Sequence, residues 1–409
     1  MPTRLALAAS LLAAPALAET DVSSLAAAEG LSGAEAALAA LPAPTPSERF
    51  ALGGVRFLGG IERALQLRYE VGLSGGLAEL SGLPVLRLPV PENPAPEPFE
   101  PAMIEALFAG VEADMAGALD ALGGVADDDE VAVPIDTADL WFDIDGDGAR
   151  GPGEGLMEVA GVVLNPGFGP GFGFEAGVGA APAPFTIRFD TADAAWLAAY
   201  AHLLSGLSEA VLAVGPSEAI GRVLDARAAF EELGLPPPDP YGFGMGGAAD
   251  YVDLLAMAAL ALDGPPDPAR TRAARDHLLA LVEENRRVWH LVAHEGDNEA
   301  EWIPSKRQTS ATGLPFPPDT GQVWLAVLAE AEAVLEGDLL VPHWRLGPGA
   351  GLDLGALLED PPDLDLVGLV QGASLVPFLR RGKTADGAAL ARFAALAQGE
   401  AVLYAAMIN

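Results

Sequence analysis

Four carboxylates crowd one short stretch of the sequence, residues 143–154, DIDGDGARGPGE. Asp143, Asp145 and Asp147 alternate along the chain, and Glu154 ends the stretch. Where a chain turns sharply, alternate side chains aim at one centre, so three carboxylates spaced this way converge. Gly148 supplies the residue type that such a bend favours. A cluster of carboxylate oxygens suits a hard divalent cation with six to eight oxygen ligands and suits a soft transition metal poorly. The competing reading is a solvated acidic turn that holds no ion.

Counted from Asp143, these residues occupy positions 1, 3, 5, 6 and 12, and in this they resemble the calcium loop of the EF-hand family. The resemblance implies Ca2+ held by the side chains of Asp143, Asp145 and Asp147 and by the backbone carbonyl of Ala149 at position 7. It also implies that Glu154 closes the shell with two oxygens and that a water stands at position 9, here Gly151. The likeness is confined to the loop and its flanks. DTADLWF ahead of it reads as a short entering helix, and Pro152 as part of the first turn of a helix leaving through EGLMEVAGVVL. Arg150 occupies position 8, where paired hands carry an aliphatic residue, and the sequence holds no second loop of this kind. The expectation is therefore a lone loop acting as a structural clamp.

Other candidate groups are less specific. His290 and His294 stand four apart on a predicted helix, a spacing that can hold zinc, with Glu295, Asp297 or Glu299 available to complete a site. Leu291 stands where the general-base Glu of the helical H-E-x-x-H pattern would be, so a solvated helix face is the favoured reading. Arg49, Arg56 and Arg63 recur every seven residues and share one helix face, to be paired with Glu48, Glu62, Glu70 or acids elsewhere. Residues 242–247, GFGMGG, match a dinucleotide fingerprint in form only, because LPPPDPY and not a strand precedes them. No G-x-S-x-G is present. Residues 301–313 read as a capped surface loop, with Trp302, Lys306, Arg307, Gln308 and Thr309 as an alternative ligand-binding group.

The elements that must position these groups are mostly helices. Apolar residues recur with helical spacing over 23–41, 47–72, 102–122, 192–214, 218–233, 248–262, 268–294, 320–335 and 385–406. DTADLW at Asp136 and DTADAAW at Asp190 both read as helix starts with an acidic first turn. Pro- and Gly-rich joints separate the helices, notably 89–101 as an extended spacer and 165–184 as a long Gly/Phe loop. The fold class expected is mainly α: long packed helices with minor β and one lone EF-hand-like loop. A lobe at 19–130, a calcium-loop segment at 131–185 and a helical lobe at 186–409 divide the mature chain.

Residues 1–18 read as a signal peptide, with Arg4 before a short apolar run and cleavage after Ala18, so that the mature chain begins at Glu19 in the periplasm or outside the cell. There is no Cys, which removes disulfides and thiol chemistry. The 409 residues carry 58 acidic against 22 basic side chains, a net charge of −36. Such a field repels nucleic acid and anionic membranes and attracts cations. Residues 194–215 are apolar, but His202 and Glu209 make them a buried core helix in expectation, with no membrane insertion. The function expected is an exported, acidic, calcium-binding protein with a structural role or a small-ligand or envelope-protein partner. The alternative is a periplasmic metal-dependent hydrolase using His290 and His294.

Overall fold

The computed structural model describes residues 20–73, 88–160, 183–234, 248–397 and 401–408. The protein is mainly α with minor β. The first half runs through helices α1 (Val22–Ala39), α2 (Pro46–Glu70) and α3 (Ala102–Leu122), strand β1 (Val133–Asp136), a single turn α4 (Leu156–Val159), strand β2 (Thr186–Phe189) and helix α5 (Thr191–Val214). It continues with α6 (Ser217–Glu232), α7 (Ala248–Ala261), α8 (Pro268–Val292), α9 (Thr320–Glu336), β3 (Ala350–Leu352), α10 (Leu354–Glu359), α11 (Leu366–Gln371), β4 (Leu379–Arg381), α12 (Ala388–Leu396) and α13 (Ala401–Ile408).

The long helices fall where the apolar spacing places them. Residues 385–406 differ: they hold two helices, the first beginning only after Gly387 in a left-handed conformation (φ 65°). The signal segment, the 242–247 glycines and most of the Gly/Phe loop lie outside the described residues.

Local chemistry sets the helix starts. Thr45 caps α2 by accepting from the Glu48 N–H at 3.2 Å, and Glu48 returns a bond to the Thr45 N–H at 2.8 Å. This reciprocal box satisfies two donors that a helix start leaves open. Asp190 opens α5 in the same way, with Asp193 as its return partner. DTADLW, expected to behave alike, does not. There the Thr137 N–H donates to the Phe185 carbonyl at 3.0 Å, drawing the segment toward strand pairing, and Asp136 closes a tight turn onto the Ala138 N–H. The 143–154 loop is thus entered from β1 and a turn, not from a helix.

α2 and α3 pack antiparallel through a matched stripe. Arg63, Arg56 and Arg49 lie over Gly110, Gly117 and Gly124, so a Cβ at those glycines would meet the arginine side chains within about 3 Å. Arg56 pairs with Glu35 at 3.0 Å and donates to the Gly117 carbonyl, while Arg63 makes a two-point pair with Asp114. Pairing within α2 is not found for these two, because Glu48 serves the cap and Glu62 is turned to the buried side.

α5 is the central helix. Ala194, Leu197, Ala198 and Ala201 join the core built with α1, α2 and α3, and Ala192, Ala195 and Ala199 join a second core with α8, α9 and the C-terminal helices. Small side chains on both faces let neighbours approach closely. α5 is long and apolar enough to cross a bilayer by length and composition, yet half of its apolar window is buried in the protein. Its Glu209 is paired with Arg270 at 2.8 Å. β1 pairs antiparallel with β2, Val133 opposite Phe189 and Asp136 opposite Thr186. This register sets Val133, at the start of β1, beside the Phe189 that leads into α5, and the turn after Asp136 at the opposite end of the sheet beside Thr186.

Candidate metal centre

Asp143, Asp145 and Asp147 are brought together: one carboxylate oxygen from each lies within 4.8 Å of the other two. The turn that does this uses left-handed backbone at Gly146 (φ 73°) and Gly148 (φ 77°), where a Cβ would be strained. Each aspartate also braces the loop. Asp143 accepts from the Gly148 N–H at 3.1 Å, Asp145 from the Asp147 N–H at 3.2 Å, and Asp147 from the Ala149 N–H at 2.7 Å. Asp145 and Asp147 are exposed, whereas Asp143 is half-buried, and its Oδ1 is shielded from solvent with no hydrogen-bond partner. A buried carboxylate oxygen without a donor is costly unless a cation meets it. The donor set, all oxygen, fits a hard cation of calcium type.

Glu154 is almost fully buried, at 1% exposure. Its Oε1 accepts from the N–H groups of Ile144 at 2.9 Å and Asp145 at 3.3 Å, and its Oε2 from the Gly151 N–H at 2.5 Å. The carboxylate therefore ties the two ends of the loop together. The loop base is closed by an antiparallel bridge between Trp141 and Gly155, with the Phe142 N–H donating to the Glu154 carbonyl. α4 leaves the site as one turn beginning at Leu156, so Pro152 stands in the preceding turn and not in the helix. Arg150 folds back to donate to the Ala138 carbonyl at 2.7 Å, which occupies the side chain at the position where paired hands meet.

Two residues of α2 that sequence reasoning did not assign to the site hold the loop down. The Glu62 carboxylate accepts from the Asp143 N–H at 2.7 Å, and Gln66 donates to the Asp143 carbonyl at 2.8 Å. Burial pushes the Glu62 carboxyl up to about 7; the hydrogen bond from Asp143 opposes this, and the charges of Asp143 and Glu154 add to it. Glu62 sits between Ile61 and the fully buried Leu65, and an acid on that face of a helix was the available signal. Trp141 anchors the far side: its indole N–H donates to the Ala26 carbonyl at 3.0 Å, and its ring fills the space beside Gly30, where α1 is kinked.

A second acidic group lies near the start of α5. Asp190, Glu295 and Glu301 bring carboxylate oxygens within 4.8 Å of one another, and the buried Asp193 stands behind them. Burial, reinforced by the charge of Asp190, pushes the Glu295 carboxyl up to about 8. Burial likewise raises Asp190 and Glu301, and Asp193 most strongly, with the charge of Asp190 adding to it. Arg188, paired with Asp297 at 3.3 Å and Glu299 at 3.5 Å, is the nearby cation. Burial and mutual repulsion both favour the protonated forms of these acids.

His290 and His294 are exposed, with ring centroids 4.6 Å apart, and the His294 Nδ1 is bonded to the His290 carbonyl at 2.7 Å. Among the described residues neither belongs to a group of three convergent metal-ligating side chains. Glu295, Asp297 and Glu299 are engaged in the acidic group and with Arg188 instead. Residues 301–313 are not a free surface loop: Trp302 and Ile303 are buried in the second core. Compared with family models, with curated proteins and with solved structures, the chain matches none.

Proposed function

We propose that this chain is an exported, acidic helical protein that binds Ca2+ through the loop at 143–154, with a structural role or a ligand- or partner-binding role in the cell envelope. The observation that carries the reading is the convergence of Asp143, Asp145 and Asp147 on a left-handed glycine turn, with Asp143 Oδ1 buried and without a donor. Ca2+ would be held by those three carboxylates and the carbonyl of Ala149, with Glu154 beside them. What it would supply is neutralisation of three like charges and fixation of the segment that links β1 to α4. Ca2+ joins the turn to the α2–Trp141 scaffold and acts as a clamp. Export is carried by residues 1–18, whose pattern of Arg4, apolar run and Ala-Leu-Ala suits a cleaved signal.

A ligand that binds only the folded state stabilises it by RT ln(1 + [L]/Kd), about 2.7 kcal/mol at a hundredfold excess over Kd. Melting of the purified protein should rise with calcium, fall on chelation, and respond less to magnesium, which needs tight octahedral geometry. The double variant Asp145→Asn, Asp147→Asn keeps the loop's internal acceptors and removes two charges, so it should lose the calcium response. A wild-type melt indifferent to calcium and chelator would leave only an acidic turn. Amino-terminal sequencing of periplasmic material should begin at Glu19.

A further inference from the structure

Between the C-terminal end of α8 and the first turn of α9 lies a cleft of about 490 Å³, a size that suits a small organic molecule. Phe316 and Leu325 supply apolar wall, Trp289 and Glu295 close one side, and Lys306 and Arg307 stand at the 304–307 turn. Trp289 comes against α9 because position 321 is Gly; a Cβ there would overlap the indole ring. The indole N–H of Trp289 is buried and has no acceptor, and the Oε1 of Glu295 is buried without a partner. Both atoms lie inside the wall and not on its surface.

The charge at this place is also unusual for the chain. In a protein of net charge −36 with two lysines, Lys306 and Arg307 are adjacent here. Lys306 reaches Asp319 only at 3.8 Å with both side chains exposed, and Arg307 forms no ion pair among the described residues. Asp319 caps α9 without accepting a first-turn N–H on its side chain. Gly321 and Gln322, whose N–H groups belong to that open turn, line the cleft. A helix start of this kind favours an anion. Burial and the Asp190 charge push the Glu295 carboxyl up to about 8, which lessens its repulsion of an anion.

We propose that the cleft binds a small organic anion of the aryl carboxylate class, its carboxylate taken by Arg307 beside the open first turn of α9 and its ring packed on Phe316 and Leu325. The pattern asks for both parts of such a ligand. An inorganic anion would leave the apolar wall uncovered, and a neutral aromatic would leave the cations unmet.

Titration calorimetry of the full chain with 1-naphthoate tests this, with neutral 1-naphthamide and cationic 1-naphthylmethylamine as comparators. Saturable one-to-one binding of naphthoate is expected, with the amide about tenfold weaker and the amine weaker still, the order that loss and reversal of one charge contact produce. Arg307→Ala, at an exposed position, should weaken naphthoate about tenfold and leave the amide unchanged. Absence of saturable naphthoate heat up to millimolar concentration overturns the proposal. So does equal affinity for naphthoate and amide, or an Arg307→Ala variant that binds naphthoate as the wild type does.

Discussion

Replacing Glu154 with Gln separates two roles that one carboxylate can play. If Glu154 acts only as the last calcium ligand, Glu154→Gln should matter when calcium is present and be silent under chelation. The structure points to a second role, because both oxygens accept backbone N–H groups, from Ile144, Asp145 and Gly151, at a position only 1% exposed. Hydrogen bonds to a buried charged group contribute roughly 1.5–3 kcal/mol each, and a donor left unsatisfied costs a similar amount. Gln keeps one acceptor oxygen and turns an NH2 toward at least one backbone N–H. The bond from Asp145, at 3.3 Å, is the weakest. The expected loss is about 2–4 kcal/mol without any calcium. For a chain of this length the unfolding entropy is near 0.9 kcal/mol/K, so the melting temperature should fall by roughly 2–5 °C in excess chelator. Scanning calorimetry of wild type and Glu154→Gln in EDTA reads this directly. A variant that melts within about 1 °C of wild type there refutes the loop-tying role. Asp145→Asn is the matched control: exposed and still able to accept from Asp147, it should be near-silent in EDTA.

Three further outcomes follow from the packing and the titrating groups. In α2, Gly59→Ala meets nothing and should stabilise by up to about 1 kcal/mol from helix propensity, whereas Gly53→Ala drives a Cβ to 2.6 Å from the buried Leu122 Cγ and should cost about 1–3 kcal/mol; urea unfolding of the pair should show opposite signs. The acids Asp190, Asp193, Glu295 and Glu301 have folded-state pKa values above their ordinary ones, Glu295 up to about 8. The folded protein therefore holds protons that the unfolded chain gives up near its usual carboxyl pKa of about 4. Their contribution is full below that value and is lost as pH rises toward and through 8, so urea midpoints should fall over this window and Asp193→Asn should flatten the decline. His290→Ala and His294→Ala, both at exposed positions, should each shift stability by less than about 0.5 kcal/mol, and a loss of several kcal/mol would overturn the polar-face assignment.

The sequence by itself determined the helices and the loop. Apolar spacing fixes the long helices because a period near 3.6 has one solution, an amphipathic face, and α2, α3, α5, α8 and α9 lie within a residue or two of their expected spans. The alternation of Asp143, Asp145 and Asp147 with Gly148 made the turn legible for a similar reason, since it rests on residues a few positions apart. DTADLW shows where local reading stops: its letters resemble those that start α5, yet Asp136 ends a strand, Thr137 bonds to the Phe185 carbonyl, and the residues after it close a turn. Only the tertiary structure decided which acids do what. Glu62 lies about eighty residues from Asp143 in the chain and meets its N–H at 2.7 Å, and Asp190 meets Glu295 and Glu301 across a comparable gap. Glu154, legible as a ligand by its position, became a staple only when the folded loop brought the N–H groups of Ile144, Asp145 and Gly151 to its carboxylate. Such contacts depend on how α2, α5 and α8 pack, and packing is set by the summed burial of many side chains, which no short window of sequence contains.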